Sequence, residues 1–142
     1  MEALVKRVGN QGTTLVGKSD SNHWIPLDGP EDFGGYNAAT RPIELFLIGL
    51  AGCTSMDVLA ILKKMKIKLS HFELKVSSER ADEHPKVFTK IGLKYLFYGD
   101  QINSDKVEKA IKLSEERYCS ATAMLRATVE IESSYEILPP TV

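Results

Sequence analysis

Two cysteines carry the chemistry that this sequence offers most clearly. Cys53 lies in a long apolar stretch, residues 45–65, and Cys119 ends a charged stretch that begins near residue 106. Small residues flank both cysteines, which lets a backbone segment or a ligand come close to each sulfur. Two thiols on two different helices can form a redox pair, whereas an inert free cysteine behaves as a small hydrophobic core residue. Residue types alone leave both interpretations open.

The elements that must position these thiols follow from hydrophobic periodicity. The pattern predicts three strands, a long helix, two strands, a helix, a further helical turn and a final strand. Because strands come in groups and do not alternate with helices, we expect an α+β fold with a mostly antiparallel sheet. The predicted strands are residues 3–8, 13–16, 23–27, 72–76, 87–97 and 127–137, and the predicted helical segments are residues 42–65, 105–118 and 121–126.

The long helix is the most unusual of these elements. Its sequence is apolar on almost every face, which is typical of a helix buried all round. Glu44 and Asp57 bracket its most apolar part, so a membrane span is not expected. Glu44 also occupies the first turn, where an acid interacts favourably with the helix dipole.

Length and composition limit the class of protein. The 142 residues predict a single domain over residues 1–142, large enough to bury its own core. A net charge of -1 gives no attraction to nucleic acid or anionic membranes. The first residues contain no apolar signal segment, so we expect a cytoplasmic, reducing location, where cysteines are more often catalytic or metal-binding than structural.

The sequence lacks the usual marks of a cofactor or metal. It contains no glycine-rich phosphate loop and no Cys-x-x-Cys motif, and its three histidines are scattered. We therefore expect neither a cofactor nor a metal ion. The histidines are His23, His71 and His84.

Two segments resemble a known family. TRPIELFLIGLAGCTSMDVLAIL and, far downstream, SEERYCSATAMLRATVEI are similar to the OsmC/Ohr superfamily, and VKRV, SSER and SYEI resemble its YhfA-like branch. In that family, a first cysteine lies on a long central helix and a second ends a later helix before the last strand. The resemblance covers nearly the whole chain.

The resemblance implies an intertwined homodimer and a thiol-dependent peroxidase that reduces small organic hydroperoxides. By motif, Cys53 is the peroxidatic cysteine and Cys119 the resolving one, and an external dithiol reduces the disulfide. The position of the family's acid is Ile43 in this chain, and Glu44, offset from it by one residue, is the candidate acid. On a continuous helix, Glu44 lies about 13 Å along the axis from Cys53. We therefore expect Glu44 to act on Cys53 of the partner subunit.

The chain also departs from the family pattern. The family's catalytic arginine lies in the N-terminal hairpin turn, but here that turn reads GNQG and the nearest arginine is Arg7. Arg41 is a candidate replacement. Asp57 is either a partner for a Lys or Arg or part of the site, and a carboxylate near Cys53 would raise the pKa of the thiol. A second hypothesis is therefore a non-catalytic protein that keeps the fold and binds a small apolar ligand.

Overall fold

The computed structural model describes residues 1–140 and has the predicted order of strands and helices. The chain divides into two compact units, Met1–Ile48 and a second unit that begins at Gly49. The α+β class is confirmed, and three of the four strand pairs are antiparallel. The single-domain organisation over residues 1–142 stays a prediction.

The first unit is built on a small antiparallel sheet. Strands β1 (Ala3–Arg7), β2 (Leu15–Ser19) and β3 (Ile25–Leu27) pair in that order. All residues of β1 are exposed, so the strand has no face that is clearly apolar and buried. Apolar and polar residues alternate only weakly in the sequence of β1, in agreement with this exposure. A strand without a covered face gains little hydrophobic stabilisation.

A buried carboxylate organises the loop after β3. Asp28 accepts backbone N–H bonds from Gly29 (2.8 Å), Tyr36 (2.9 Å) and Ala38 (3.1 Å). Burial alone would raise the pKa of Asp28, but the three N–H donors outweigh it and lower the pKa. These three hydrogen bonds hold the loop together from Asp28 to Ala38.

The second unit contains a three-stranded sheet and most of the buried apolar side chains. Strand β4 (His71–Arg80) is antiparallel to β5 (Phe88–Tyr98), and β6 (Glu130–Leu138) is parallel to β5. Alternate residues of β5 face the core as predicted, and the fully buried ones are Ile91, Leu93, Tyr95 and Phe97.

The alternation along residues 87–97 predicts that Val87 and Thr89 face the core together with Ile91, and this prediction is wrong at the start of the strand. Val87 is 54% exposed and Thr89 is exposed, whereas Phe88 is buried. The cause is a shift in register, because Glu79 pairs with Lys90 while Arg80 pairs with Phe88 and skips one residue. A bulge of this kind turns the side chains before it to the opposite face.

Helix α1 (Pro42–Lys64) is the predicted long helix, but in the single chain it is buried along one face only. Other apolar side chains on the helix are exposed, including Phe46 (58%), Ile48 (57%) and Met56 (74%). Burial all round is therefore wrong for one chain by itself. The buried face consists of residues four apart: Leu50, Thr54, Val58 and Leu62.

By its 23 residues and its apolar composition, α1 is long enough to cross a membrane, contrary to the sequence argument. One such helix is weak evidence, because the core helix of a soluble protein passes the same test. The buried face of α1 is hydrogen-bonded to the sheet between Thr54 and Tyr95.

The segment predicted as one helix over residues 105–118 is divided. Helix α2 (Ser104–Leu113) is regular, and the Asn103 side chain caps it by accepting the Lys106 N–H at 3.0 Å. A π-helical turn, Ser114–Tyr118, follows. Helix α3 (Ser120–Leu125) then matches the predicted helical turn.

Candidate functional site

Helix α1 presents a cysteine and a carboxylate on one face. Cys53 and Asp57 are four residues apart, so their side chains are neighbours on the helix surface. Both are partly buried, at the border between the buried face of α1 and its exposed side. Their spacing places a thiol and an acid in contact range without any tertiary constraint.

The second cysteine is positioned by the π-helical turn. Its last hydrogen bond runs from the Cys119 N–H to the Ser114 carbonyl (2.8 Å), five residues back. Cys119 then leaves the helical conformation and caps α3, where its sulfur accepts the Thr122 N–H at 3.4 Å. π-helical turns of this kind occur frequently at functional sites. Cys119 is only 2% exposed.

The fold brings the two cysteines together with Asp57. The sulfurs of Cys53 and Cys119 and a carboxylate oxygen of Asp57 all lie within 4.8 Å of one another. Both thiols are free. A disulfide has an S–S bond of about 2 Å, so the sulfurs need to approach by less than about 3 Å to form one.

A buried hydroxyl network lies beneath this cluster. Thr54 Oγ1 is 2.9 Å from the Tyr95 hydroxyl and 3.0 Å from Ser114 Oγ. Ser114 Oγ in turn donates to Asp57 Oδ2 at 3.4 Å. The network links the residue after Cys53 to the turn that positions Cys119, and it orients the Asp57 carboxylate.

The surroundings keep two groups of this region in their protonated forms. Burial raises the pKa of the Cys119 thiol, and the nearby Cys53 adds to this, although Thr122 acts in the opposite direction. Burial also raises the pKa of Tyr95 to about 12. At neutral pH Cys119 is therefore a thiol and Tyr95 a neutral phenol.

An open groove of about 330 Å³ reaches the cluster at Asp57. Its lining is mostly apolar, with one lysine near the end of α1. A larger cavity, of about 650 Å³, lies over the sheet and includes none of the three cluster residues. The groove beside Asp57 is lined also by Ala60, Ile61, Lys64, Met65, Leu113 and Tyr118.

Glu44 has a different setting, in the first unit. Its carboxylate accepts the Arg41 backbone N–H at 3.0 Å and lies 3.7 Å from the Arg41 guanidinium. The guanidinium also donates to Asn37 at 2.9 Å. Glu44 is therefore paired with the arginine that the sequence offered as a cation, and it is not part of the sulfur cluster.

The family model described as OsmC-like protein matches residues 34–134, which include both cysteines and Asp57. The chain belongs to the OsmC-like family. A member of known sequence, Protein YhfA from Escherichia coli strain K12, is 38% identical over 138 residues, covering 97% of this chain and 98% of YhfA. This confirms the resemblance to the YhfA-like branch.

Solved structures share the OsmC-like fold. A hypothetical protein from Aquifex aeolicus VF5 superposes with a TM-score of 0.83 at 26% identity, covering 99% of this chain and 97% of that one. An organic hydroperoxide resistance protein OsmC from Legionella pneumophila has a TM-score of 0.66 at 19% identity, with 99% and 98% covered. The second likeness concerns the fold alone.

Sequence reasoning found both thiols but missed most of their surroundings. It left Asp57 as either a partner for a Lys or Arg or part of the site, and the Asp57 carboxylate lies with the two sulfurs and accepts a hydrogen bond from Ser114. It did not single out Ser114 or Tyr95, because each continues the regular periodicity of its element. The i, i+4 spacing of Cys53 and Asp57 was the one signal that placed the acid beside the thiol.

Proposed function

We propose that this protein is a thiol-dependent peroxidase-like protein that reduces small organic hydroperoxides through Cys53 and Cys119. The observation that carries the proposal is the proximity of two free sulfurs from two different helical segments, within 4.8 Å. The organic hydroperoxide resistance protein from Legionella pneumophila, which shares the fold, agrees with this chemistry.

The proposed reaction has three balanced steps. Cys53 attacks the peroxide oxygen of ROOH as a thiolate and becomes a sulfenic acid, and the leaving alkoxide takes up the proton that Cys53 lost and becomes the alcohol ROH. The Cys119 thiol then condenses with the sulfenic acid, forming the disulfide and releasing water. An external dithiol reduces the disulfide and is itself oxidised to a disulfide. No metal or cofactor takes part in these steps.

Accessibility favours Cys53 as the peroxidatic thiol. Cys53 is partly exposed, whereas Cys119 is buried and has a raised pKa. The attacking group must reach the substrate as a thiolate, but a resolving thiol needs only to meet the neighbouring sulfenic acid. The apolar groove beside Asp57 supplies a route for a lipophilic hydroperoxide.

We further propose a homodimer in which Glu44 and Arg41 act on Cys53 of the partner subunit. The apolar side chains that α1 exposes in one chain are the support for a partner surface, since large exposed patches commonly mark protein contacts. Glu44 and Arg41 form a ready acid–cation pair, and a cation beside a cysteine favours its thiolate. Cytoplasmic location and a dithiol reductant complete the proposal.

A peroxide titration with thiol counting tests the chemistry. One equivalent of an organic hydroperoxide should consume two thiols per chain, and peptide mapping should find Cys53 joined to Cys119. If Cys53 remains a thiol, the redox proposal fails. The second candidate, a non-catalytic protein that binds a small apolar ligand, then gains support from the hairpin turn that lacks arginine.

Mixed dimers test the shared site. A Cys53→Ser chain refolded with a Glu44→Gln chain should give one site that has both an intact thiol and an intact acid. Activity should reappear above that of either parent variant. If it does not, while Glu44→Gln alone is inactive, the acid acts within its own chain. Light scattering at low micromolar concentration tests the assembly, and a stable monomer there contradicts it.

A further inference from the structure

We propose that Cys53, Asp57 and Cys119 together form a binding site for a thiophilic divalent metal ion of the zinc class. The three donor atoms lie within 4.8 Å of one another, although the cysteines are 66 residues apart in sequence (119 − 53 = 66). The site itself requires only the two thiols and the acid, but its effect on peroxide chemistry rests on the proposed function.

The distances are close to those of a zinc site. Zn–S bonds of about 2.3 Å and Zn–O bonds of about 2.1 Å place tetrahedral donors roughly 3.5–3.8 Å apart. The donors here therefore need to move inward by about 1 Å at most. Side-chain rotation at Cys53 and Asp57, which are only partly buried, can provide this movement.

The backbone supports the donor set from two independent elements. Cys53 and Asp57 share one face of α1 at the i, i+4 spacing that also joins the two histidines of helical zinc motifs. Cys119 is fixed from the other side by the π-helical turn and by the Thr122 N–H. Two donors lie on a regular helix and the third follows the π-helical turn, so the backbone holds all three donors close together before an ion binds.

The chemistry of the donors selects the metal. Two thiolates favour zinc(II) over magnesium or calcium, and three protein ligands leave a fourth position for water. On binding, the ion replaces the thiol protons, which are released to solvent. Ser114 donates to Asp57 and orients the carboxylate, as hydrogen bonds to metal-binding carboxylates commonly do.

A buried hydroxyl beside the site supports an additional ligand. Thr122, whose N–H donates to the Cys119 sulfur, is fully buried. Within residues 1–140 its hydroxyl has no hydrogen-bond partner other than the neighbouring Cys119 thiol, whose pKa it lowers. A thiol is a weak hydrogen-bond partner, so a water bound to the ion would be a better partner for this buried hydroxyl.

Metal binding and disulfide formation exclude each other. An ion that binds both thiolates leaves no free thiolate to attack the peroxide. A disulfide leaves Asp57 as the one remaining ligand of the three for the ion. Zinc should therefore inhibit peroxide consumption, and oxidation of both thiolates to the disulfide should release the ion. The site is therefore either bound to a metal ion or able to react with peroxide.

Cobalt(II) titration of the reduced protein under anaerobic conditions tests the site. We expect one ion per chain, with the intense visible bands of tetrahedral cobalt and a thiolate charge-transfer band, all removed by adding zinc. Cys53→Ser and Cys119→Ser should abolish the charge-transfer band or halve it, and Asp57→Asn should weaken zinc affinity at least about tenfold. Asp105→Asn, an equal charge change at an exposed position of α2, is the matched control.

Oxidised wild-type protein provides a control without any substitution. Its disulfide form should bind no cobalt, and reduction should restore binding. The proposal is overturned if reduced protein shows no tetrahedral cobalt spectrum, or if Asp57→Asn and Asp105→Asn bind zinc equally well. Disulfide formation with peroxide but no metal binding refutes only the metal site. Metal binding without disulfide formation refutes only the proposed peroxidase.

Discussion

The regions around the two cysteines differ in backbone and in burial. Cys53 belongs to an unbroken helix whose other side exposes apolar residues, whereas Cys119 follows a π-helical turn in a fully packed setting. A regular helix presents its thiol to whatever occupies its open side. A break in a helix fixes its thiol toward the interior. This difference is in keeping with the proposed roles, in which Cys53 reacts with an external substrate and Cys119 with its neighbour.

The largest expected effect comes from replacing each thiol separately. Cys53→Ser should reduce hydroperoxide consumption to that of buffer, because the buried thiol of Cys119 is a poor external nucleophile. Cys119→Ser should still consume one equivalent of peroxide but should stop at a sulfenic acid, which a dimedone probe detects by mass spectrometry. If the two variants behave in reverse, the assignment of roles is wrong.

The second largest effect is expected from the hydroxyl network that joins the two regions, and it concerns the free energy of unfolding. Thr54→Val removes a fully buried hydroxyl and leaves the hydroxyls of Tyr95 and Ser114 with one partner fewer. We expect a loss of about 1–3 kcal/mol in the free energy of unfolding, measured with urea, and slower disulfide formation.

The control for this variant is Thr89→Val, at an exposed position on β5. Valine is at least as favourable as threonine in a strand, so the control should change the free energy of unfolding by less than about 0.5 kcal/mol. Equal effects of the two variants would show that the network does not support the cysteines.

A smaller effect is expected on the pH dependence with which Cys119 reacts with an alkylating reagent. Because the pKa of Cys119 is raised, its thiolate fraction is low at neutral pH and increases only as the pH approaches that raised value. In metal-free protein, iodoacetamide should therefore label Cys119 more slowly than it labels the same cysteine in urea-unfolded chain. Site-resolved mass spectrometry between pH 6 and pH 9 measures this. Equal labelling rates in the folded and the urea-unfolded chain would contradict the burial and the raised pKa of Cys119.

The sequence predicted most of what regular periodicity determines. The order of elements, α2 and the buried face of β5 from Ile91 onward follow from local patterns. The π-helical turn and the bulge near Phe88 do not, because one extra residue in a helix or strand leaves no mark in the composition. The Cys53–Cys119 proximity spans 66 residues (119 − 53 = 66); residue types left a redox pair as one of two interpretations, and the family resemblance favoured it.

The smallest expected effect tests whether the open side of α1 is covered by a partner. Gly52 lies in one row with the exposed residues Ile48 and Met56, and a Cβ atom built on it meets nothing within 4 Å in the single chain. In an isolated chain, Gly52→Ala should stabilise the helix by about 1 kcal/mol, because alanine has the higher helix propensity.

In the proposed homodimer, the same Cβ would press against the partner, and overpacking costs about 1–3 kcal/mol. The two terms oppose each other, so we expect a small net loss of stability together with weaker dimerisation. Thermal unfolding at several protein concentrations separates the gain in helix stability from the loss at the dimer interface, because only the contribution of the interface depends on protein concentration. A gain of about 1 kcal/mol that is independent of concentration would mean that the side of α1 next to Cys53 faces solvent, and the shared site would then lose its structural basis.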